Sequence, residues 1–426
     1  MTNSLILHTR PSLVSVKAMR FTHTFGLGGM SLVLFMLLVG TGLLMIFVYE
    51  PSPERAYQSI QWMQQEILFG RLIRGVHYWS ANLLIAVVAL HILRVFLTGA
   101  FHGRRQSNWI IGLCLLFLIL LSGFTGYLLP WDQISYWAIT ICTEMLGYMP
   151  GFGETLQRVV LGGTEIGSAT VINFYALHTI VVPLLLVGLM TWHFWMVRKA
   201  GGVVIPRSID DNVRAAAAYV PYDPNLMLRE IAVALTLVAA VLVLAIFFEA
   251  PLGDPANPGL SPNPAKAPWY FVGLQELLLH FHPLFAVFVI PLMLVGAIVW
   301  VAFLRYDAHL SGNWFLTPKG LRMAAVSAGT ALLFVPLWIL VDEFAIGPGG
   351  WFPGTAPVIG SGFVPFAIFV AAIVAFYVFL KRVFSASKNE TVQAIFVLLV
   401  VSFVILTITG VWFRGAGMTL VWPWQT

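Results

Sequence analysis

The segment Arg74-Gly-Val-His77-Tyr-Trp-Ser-Ala-Asn-Leu-Leu-Ile-Ala-Val-Val-Ala-Leu-His91-Ile-Leu-Arg94 sets two histidines fourteen residues apart in one apolar run, with an arginine three residues outside each. On a helix that rises ~1.5 Å and turns ~100° per residue, that spacing covers about 21 Å and ends ~40° short of four full turns. The two imidazoles share a helix face at two depths. A second stretch repeats the arrangement, with His178 and His193 fifteen residues apart, about 22 Å and ~60° past four turns. Two stacks of paired histidines point to two metal-centred cofactors, one above the other.

Working outward, the chain has 426 residues, of which 59% are hydrophobic and only 10% charged. That excludes an ordinary soluble domain and indicates an all-α, polytopic membrane protein. Apolar runs near 26–48, 77–99, 109–130, 172–197, 230–249, 284–304, 322–341, 363–380 and 391–412 are each long enough, or nearly so, to span a bilayer. The net charge of +5 does not indicate a nucleic-acid partner, because the basic residues sit in short loops between these runs. With a cytoplasmic N-terminus, the loops on that side hold seventeen of the 23 Lys and Arg residues, Arg10, Arg207 and Arg214 among them, which sets the orientation by the positive-inside rule. Cys114 and Cys142 are too few for a disulfide framework or thiolate cluster. No cleavable signal peptide is evident before the first run.

In this orientation the second and fourth runs both pass from the outer side inward. His77 and His178 then share one depth, and His91 and His193 another. Each pair can ligate one iron from opposite sides of a flat macrocycle. A single histidine on an apolar helix is more often a hydrogen-bonded packing residue, but four at matched depths reverse that preference, since ionisable groups at membrane depth are costly and functional. Gly26 and Gly40 in the first run are fourteen apart, as are Gly112 and Gly126 in the third. They match the vertical period of the histidines and would let the flanking backbone approach the edge of a macrocycle. Arg74 and Arg94 suit haem propionates, or else simple interfacial anchoring. The polar connector from Arg198 to Leu228, which carries Asp210 and Asp211, reads as a boundary. The division expected is a four-helix dihaem bundle over 1–205, a C-terminal helical module over 206–345 and extra C-terminal spans over 346–426.

These residues, with Gly126-Tyr127-Leu-Leu-Pro130-Trp131-Asp132-Gln133 and Pro268-Trp269-Tyr270-Phe271, resemble cytochrome b of the quinol:cytochrome c oxidoreductases, the cytochrome bc complexes, over roughly residues 20 to 345. The fifteen-residue spacing of His178 and His193 is closer to the chloroplast-type branch, with its two halves here fused. The resemblance implies two haem b groups, one of low potential between His77 and His178 and one of high potential between His91 and His193. Quinol would be oxidised near the outer face, with one electron going to a Rieske iron-sulfur protein and on to a c-type cytochrome. The other would cross through the two haems to a quinone near the cytoplasmic face, contributing to protonmotive force. A homodimeric complex in the lipid of a bacterial inner membrane is expected on the same ground.

For the outer quinol pocket, the family's Pro-Glu-Trp-Tyr motif stands here as Ala267-Pro268-Trp269-Tyr270, without the glutamate that is the proposed proton acceptor. Glu276 is the nearest carboxylate able to replace it, ahead of Asp132 and Glu144. Tyr127, Trp131, Trp137, Ala138 and Ile139 match the stretch lining that pocket, alongside Trp269, Tyr270 and Phe271. Arg198, Arg229 and Glu230 are assigned to the inner quinone site. Chloroplast-type relatives bind a further haem covalently through a cysteine two residues before the first haem glycine. Counted from Gly26 that position is Thr24, so no covalent haem c is expected. His8, His23, His102, His280, His282 and His309 show no comparable pairing and are assigned no metal. A dihaem b anchor of a dehydrogenase and a proton-coupled transporter are the competing readings. The Trp269-Tyr270 motif disfavours the first, and the matched histidines and glycines disfavour the second.

Overall fold

The computed structural model describes residues 12–206, 218–306, 311–347, 350–352 and 354–425. Arg10, Arg207, Arg214, Asp210, Asp211, His8 and His309 lie outside the described residues. In chain order the helices used below are α1 (Leu27–Ile46), α2 (Gly70–Leu97), α3 (Gln106–Leu128), the short α4 (Gln133–Glu144), α5 (Ser168–Lys199), α6 (Tyr222–Phe247), the short α7 (Trp269–His280), α8 (Leu284–Val301), α9 (Pro318–Ile346), α10 (Val358–Phe384) and α11 (Lys388–Trp412). All but α4 and α7 belong to spans long and apolar enough to cross a bilayer, nine among the described residues. The protein is an all-α, multi-pass membrane protein. A three-residue antiparallel pair, β1 (Leu13–Ser15) with β2 (Tyr219–Pro221), is a minor addition.

The nine apolar runs coincide with these nine spans, and the edges differ where charge interrupts hydropathy but not the helix. α2 begins at Gly70, seven residues before its apolar run. Its early arginine, Arg74, is buried because its guanidinium donates to the Ala250 and Pro251 carbonyls at 2.8 and 2.6 Å. Three spans also contain a proline that reshapes the turn before it. A proline offers no N–H to the carbonyl four residues earlier, and the preceding turn widens to i→i−5 bonding. Val182 N–H reaches Leu177 O ahead of Pro183, Ile290 reaches Phe285 O ahead of Pro291, and Val364 reaches Ile359 O ahead of Pro365. In the last case the freed Ser361 carbonyl accepts from His282 N–H at 2.7 Å.

The chain forms two compact units. The first holds residues up to Asp132, Gly167–Pro255 and a short piece ending at Trp314. The second holds Gln133–Ile166, the stretch beginning at Ala256, and Phe315 onward. This differs from the three-part division expected at 205 and 345. α6 belongs to the first unit because Gly75 of α2 lets the two backbones close in: a Cβ there would stand 3.2 Å from Ala245 O. Leu237, Val241 and Ala245 then share a core with Leu27, Leu34, Val76 and Leu84. α10 and α11 do not stand apart as a third piece. They pack into the second unit, where Met323, Leu380 and Ala394 form one core cluster.

α11 begins with a capping box, in which Ser387 and Glu390 satisfy each other's backbone N–H groups. It lies along α7 at backbone-contact distance, since a Cβ on Gly410 would sit 2.9 Å from Val272 Cγ2. Gly410→Val should therefore destabilise the second unit by about 1–3 kcal/mol through overpacking, read as a lower midpoint in thermal unfolding of the detergent-solubilised protein.

Candidate haem centre

His77 on α2 and His178 on α5 face each other with ring centroids 6.2 Å apart and planes at 67°. Two metal–nitrogen bonds of about 2.0 Å, plus about 1.1 Å from each ring nitrogen to its centroid, call for about 6.2 Å. The gap therefore accepts one iron between the rings. The second shell fixes which nitrogen faces it. Thr41 Oγ1 donates to Leu37 O at 2.7 Å, so towards His77 Nδ1, 2.9 Å away, it acts as acceptor. His178 Nδ1 lies 2.9 Å from the Ser122 carbonyl, which can only accept. Both imidazoles thus carry their proton on Nδ1 and present a bare Nε2, the arrangement metal-ligating histidines require.

His178 lies inside the widened turn Leu177–Val181 that precedes Pro183. Such a turn takes in about one extra residue relative to α geometry. This explains the unequal spacings: fifteen residues on α5, one absorbed by the turn, keep register with fourteen on α2. The second pair is His91 and His193. The His193 ring is backed by α3, where its Nδ1 is buried without a hydrogen-bond partner beside the Asn108 carbonyl.

The glycines of the first helix need correction. A Cβ at Gly42 would stand 3.4 Å from His77, and one at Gly28 would stand 3.5 Å from His91. Gly26 instead caps α1 at φ 67° against Val233, and nothing lies within 4 Å of a Cβ at Gly40. Two residues turn a helix by ~200°, which sends Gly26 and Gly40 to the opposite side. On α3 Gly112 lies 3.6 Å from His193, and a Cβ at Gly126 would collide with the His178 ring. Each of the four imidazoles therefore faces a glycine. Counted from Gly28, the position two residues earlier is Gly26 rather than Thr24, and it too lacks a thiol.

Arg74 and Arg94 are both buried on α2. Besides the carbonyls bound by Arg74, Arg94 Nε donates to His23 O at 3.0 Å and its Nη2 is 3.1 Å from His23 Nε2. Each guanidinium thus braces α2 against a neighbouring segment. Arg198 Nη1 is buried with no partner, whereas Arg229 donates to Met19 O and Glu230 accepts from Tyr222. In the second unit Pro268 starts α7, and Trp269, Tyr270 and Phe271 stack edge-on along its first turn at 5.6 and 4.8 Å. Gln275 ties that turn to the preceding loop through Ala265 O and Ala267 N–H. On α4, Trp137 donates to Asn257 O, Ala138 is half-buried and Ile139 fully buried. Tyr127 ends α3 in the first unit, where Asp132 accepts from Gly253 N–H.

Glu276, the carboxylate expected to replace the motif glutamate, is fully buried. Arg414, just past α11, donates to it through Nη2 at 2.6 Å and through Nε at 3.1 Å to both oxygens. His280 Nε2 stands 3.3 Å from the same carboxylate, and His280 Nδ1 is 2.7 Å from Asp342. Burial pushes the Glu276 carboxyl up, but His280 and Arg414 outweigh it and hold it below the ordinary carboxylate range. Burial pushes His280 down, and Asp342 and Glu276 outweigh that, holding it above its ordinary 6.5. No sequence pattern flagged Arg414 or paired His280 with Asp342, because these groups lie far apart along the chain.

Comparison with known proteins shows the family. Residues 13–201 match the family model described as Cytochrome b/b6/petB. A cytochrome b6 from Synechococcus sp. (strain CC9902) is 42% identical over 175 residues, covering 41% of this chain and 80% of that protein. One from Acaryochloris marina (strain MBIC 11017) is also 42% identical, covering 41% and 81%. The chain is similar in fold to a chain of a hyperthermophilic respiratory Complex III, with a TM-score of 0.66 and 24% identity over 90% of each. The chain belongs to the cytochrome b/b6 family, membrane-spanning haem b proteins of electron transport.

Gly126→Val, which drives a side chain into the His178 ring, should lower haem b content, while Gly40→Ala leaves it intact, both read from reduced-minus-oxidised spectra. The buried cluster adds a pH dependence. The part owed to Glu276, whose pKa is depressed, is present above its ordinary range and lost as pH falls through its folded value. The part owed to His280, whose pKa is raised, is complete below its ordinary 6.5 and lost as pH rises through its folded value. Thermal stability against pH should fall on that alkaline side, and His280→Gln should abolish the fall.

Proposed function

We propose that this chain is the cytochrome b subunit of a quinol:cytochrome c oxidoreductase, lying in a bacterial inner membrane with its N-terminus cytoplasmic. The observation that carries the proposal is the His77–His178 pair, 6.2 Å apart with both Nδ1 atoms held by α1 and α3. One level deeper, His91 faces Gly28 and His193 faces Gly112. Haem b, when bound, supplies reversible one-electron chemistry at each depth.

The protein's part is to fix position and environment. Thr41 and Ser122 orient the outer imidazoles, Gly28, Gly42, Gly112 and Gly126 bring the backbone close, and Arg74 and Arg94 retain N–H donors suited to propionates. The Cα interval of about 21 Å between the two histidine levels, against a hydrocarbon core of ~30 Å, supports electron passage across most of the membrane. Quinol binds at the outer face against Pro268, Trp269, Tyr270 and Phe271 with Trp137, Ala138 and Ile139. Tyr127 is assigned to that site by resemblance. Glu276 accepts a quinol proton, not as an exposed base but through the hydrogen-bonded groups around it. At the inner face Arg198, whose Nη1 lacks a partner, is the first candidate to meet a quinone oxygen, with Arg229 and Glu230 beside it in sequence reading. A Rieske protein and a c-type cytochrome receive the other quinol electron, and the complex is a homodimer.

The test is a dithionite-reduced minus oxidised spectrum of the purified complex, with haem b measured per copy of this chain. Two haem b are expected, with one lost on His193→Leu and quinol:cytochrome c electron transfer lost with it. Absence of haem b from intact, folded protein would overturn the proposal.

A further inference from the structure

The cluster at the end of α7 contains three carboxylates, Glu276, Asp342 and Glu343, and one permanent cation, Arg414. Burying excess negative charge is costly. The remaining group able to offset it within the cluster is His280, and only while it holds a proton. Its proton lowers the cluster's excess from two negative charges to one, so the charge held here depends on a proton that can leave.

The two arms of the cluster differ in kind. Arg414 joins Glu276 to Glu343, to which its Nη1 donates at 2.9 Å, but a guanidinium does not deprotonate in proteins. That arm holds charge and position and conducts nothing. The other arm runs from Glu276 Oε1 to His280 Nε2 at 3.3 Å and from His280 Nδ1 to Asp342 Oδ2 at 2.7 Å. Side-chain exposure rises along it, from 0% at Glu276 and 1% at His280 to 15% at Asp342. An imidazole can take a proton at one ring nitrogen and give one up at the other. The other elements packed against α7 add little charge. The first turn of α8, Leu284–Val289, has no ionisable group, and Lys266, whose ammonium donates to Val411 O, is the further cation that feels Glu276.

We propose that Glu276, His280 and Asp342 form a proton relay from the quinol-oxidising region of the second unit to its surface, with Arg414 as the positioning residue that holds its inner end. This rests on the reading of the chain as a quinol:cytochrome c oxidoreductase subunit. Quinol gives up two electrons to the Rieske and haem acceptors and two protons. One of those protons goes to Glu276 and the other to solvent. His280, protonated at rest, first releases its Nδ1 proton to Asp342, which passes it to water, and once the ring has turned its bare nitrogen takes the proton from Glu276. Arg414 reaches Glu276 only because α11 lies against α7, so the relay requires the ninth span.

The experiment uses the intact purified complex, a short-chain quinol and cytochrome c, with rates recorded across pH and haem b content measured for each variant. His280→Gln and Asp342→Asn should each slow quinol oxidation by about tenfold or more, less than the ~100-fold of a lost general base, and change the pH profile at unchanged haem content. Arg414→Lys should keep the wild-type profile and Arg414→Leu should lose it. Wild-type rates and profiles in both His280→Gln and Asp342→Asn, with Glu276→Gln slow, would overturn the relay and leave the quinol reading standing. Wild-type behaviour of Glu276→Gln as well would remove the whole cluster from the proton path. No quinol oxidation by the wild-type complex would instead remove the functional reading. If His280→Gln fails to assemble, Asp342→Asn at the partly exposed end decides alone.

Discussion

The first unit is organised around one hydrogen bond made twice: an imidazole Nδ1–H held by an oxygen on the facing helix, Thr41 Oγ1 for His77 and Ser122 O for His178. In an apolar interior a histidine without such a partner would be costly and free to turn. With it, the ring is locked and its Nε2 lone pair is aimed across the gap between α2 and α5. The remaining features follow from that aim. The oxygen can reach Nδ1 only if α1 and α3 approach closely, and the glycines facing each ring permit that approach. α2, which carries two of the four histidines, is the most buried span. Buried arginines three residues beyond its histidines tie it to neighbouring backbone carbonyls.

Much of this was legible in the sequence because helical periodicity and membrane depth are both linear in residue number. The nine spans, the four histidines and their two levels follow from counting. The glycines show where counting stops. Gly26 with Gly40 and Gly28 with Gly42 share the same fourteen-residue interval, so spacing fixes the period but not the phase. Phase depends on which face of α1 meets α2, and only packing decides that. The fifteen-residue spacing on α5 was visible too, but its cause was not. It requires seeing that Pro183, by withholding one N–H, widens the turn containing His178. The compact units depart from the connector boundary for a related reason. A polar connector marks where a chain leaves the membrane, not which helices pack together, and α6 returns to the first unit through the Gly75–Ala245 contact.

The second unit contrasts with the first in what was hidden. Its aromatic motif could be read directly, but the cluster around Glu276 adds to His280 of its own helix Asp342 from the end of α9 and Arg414 from past α11, both far away in sequence. The missing motif glutamate directed attention to the next carboxylate along α7. That carboxylate proved to be fully buried and held by a guanidinium from beyond the ninth span. A carboxylate in that state is a poor free base, because its lone pairs are taken and its charged form is favoured. Its chemistry belongs to the cluster and cannot be assigned to one residue.

This bears on why the chain continues past the eighth span. An ion pair as buried as Glu276 with Arg414 contributes little net stability when compared with apolar packing, yet losing one partner leaves an uncompensated charge. α11 therefore does more than add apolar surface. Gly410 brings it against Val272 on α7, and just past its C-terminal end Arg414 donates to both Glu276 and Glu343. The close backbone approach sets the reach of Arg414, and that reach in turn lets Glu276 remain ionised at full burial. In both units, then, a glycine-permitted approach of two helices comes first, and the orientation of an ionisable side chain depends on it.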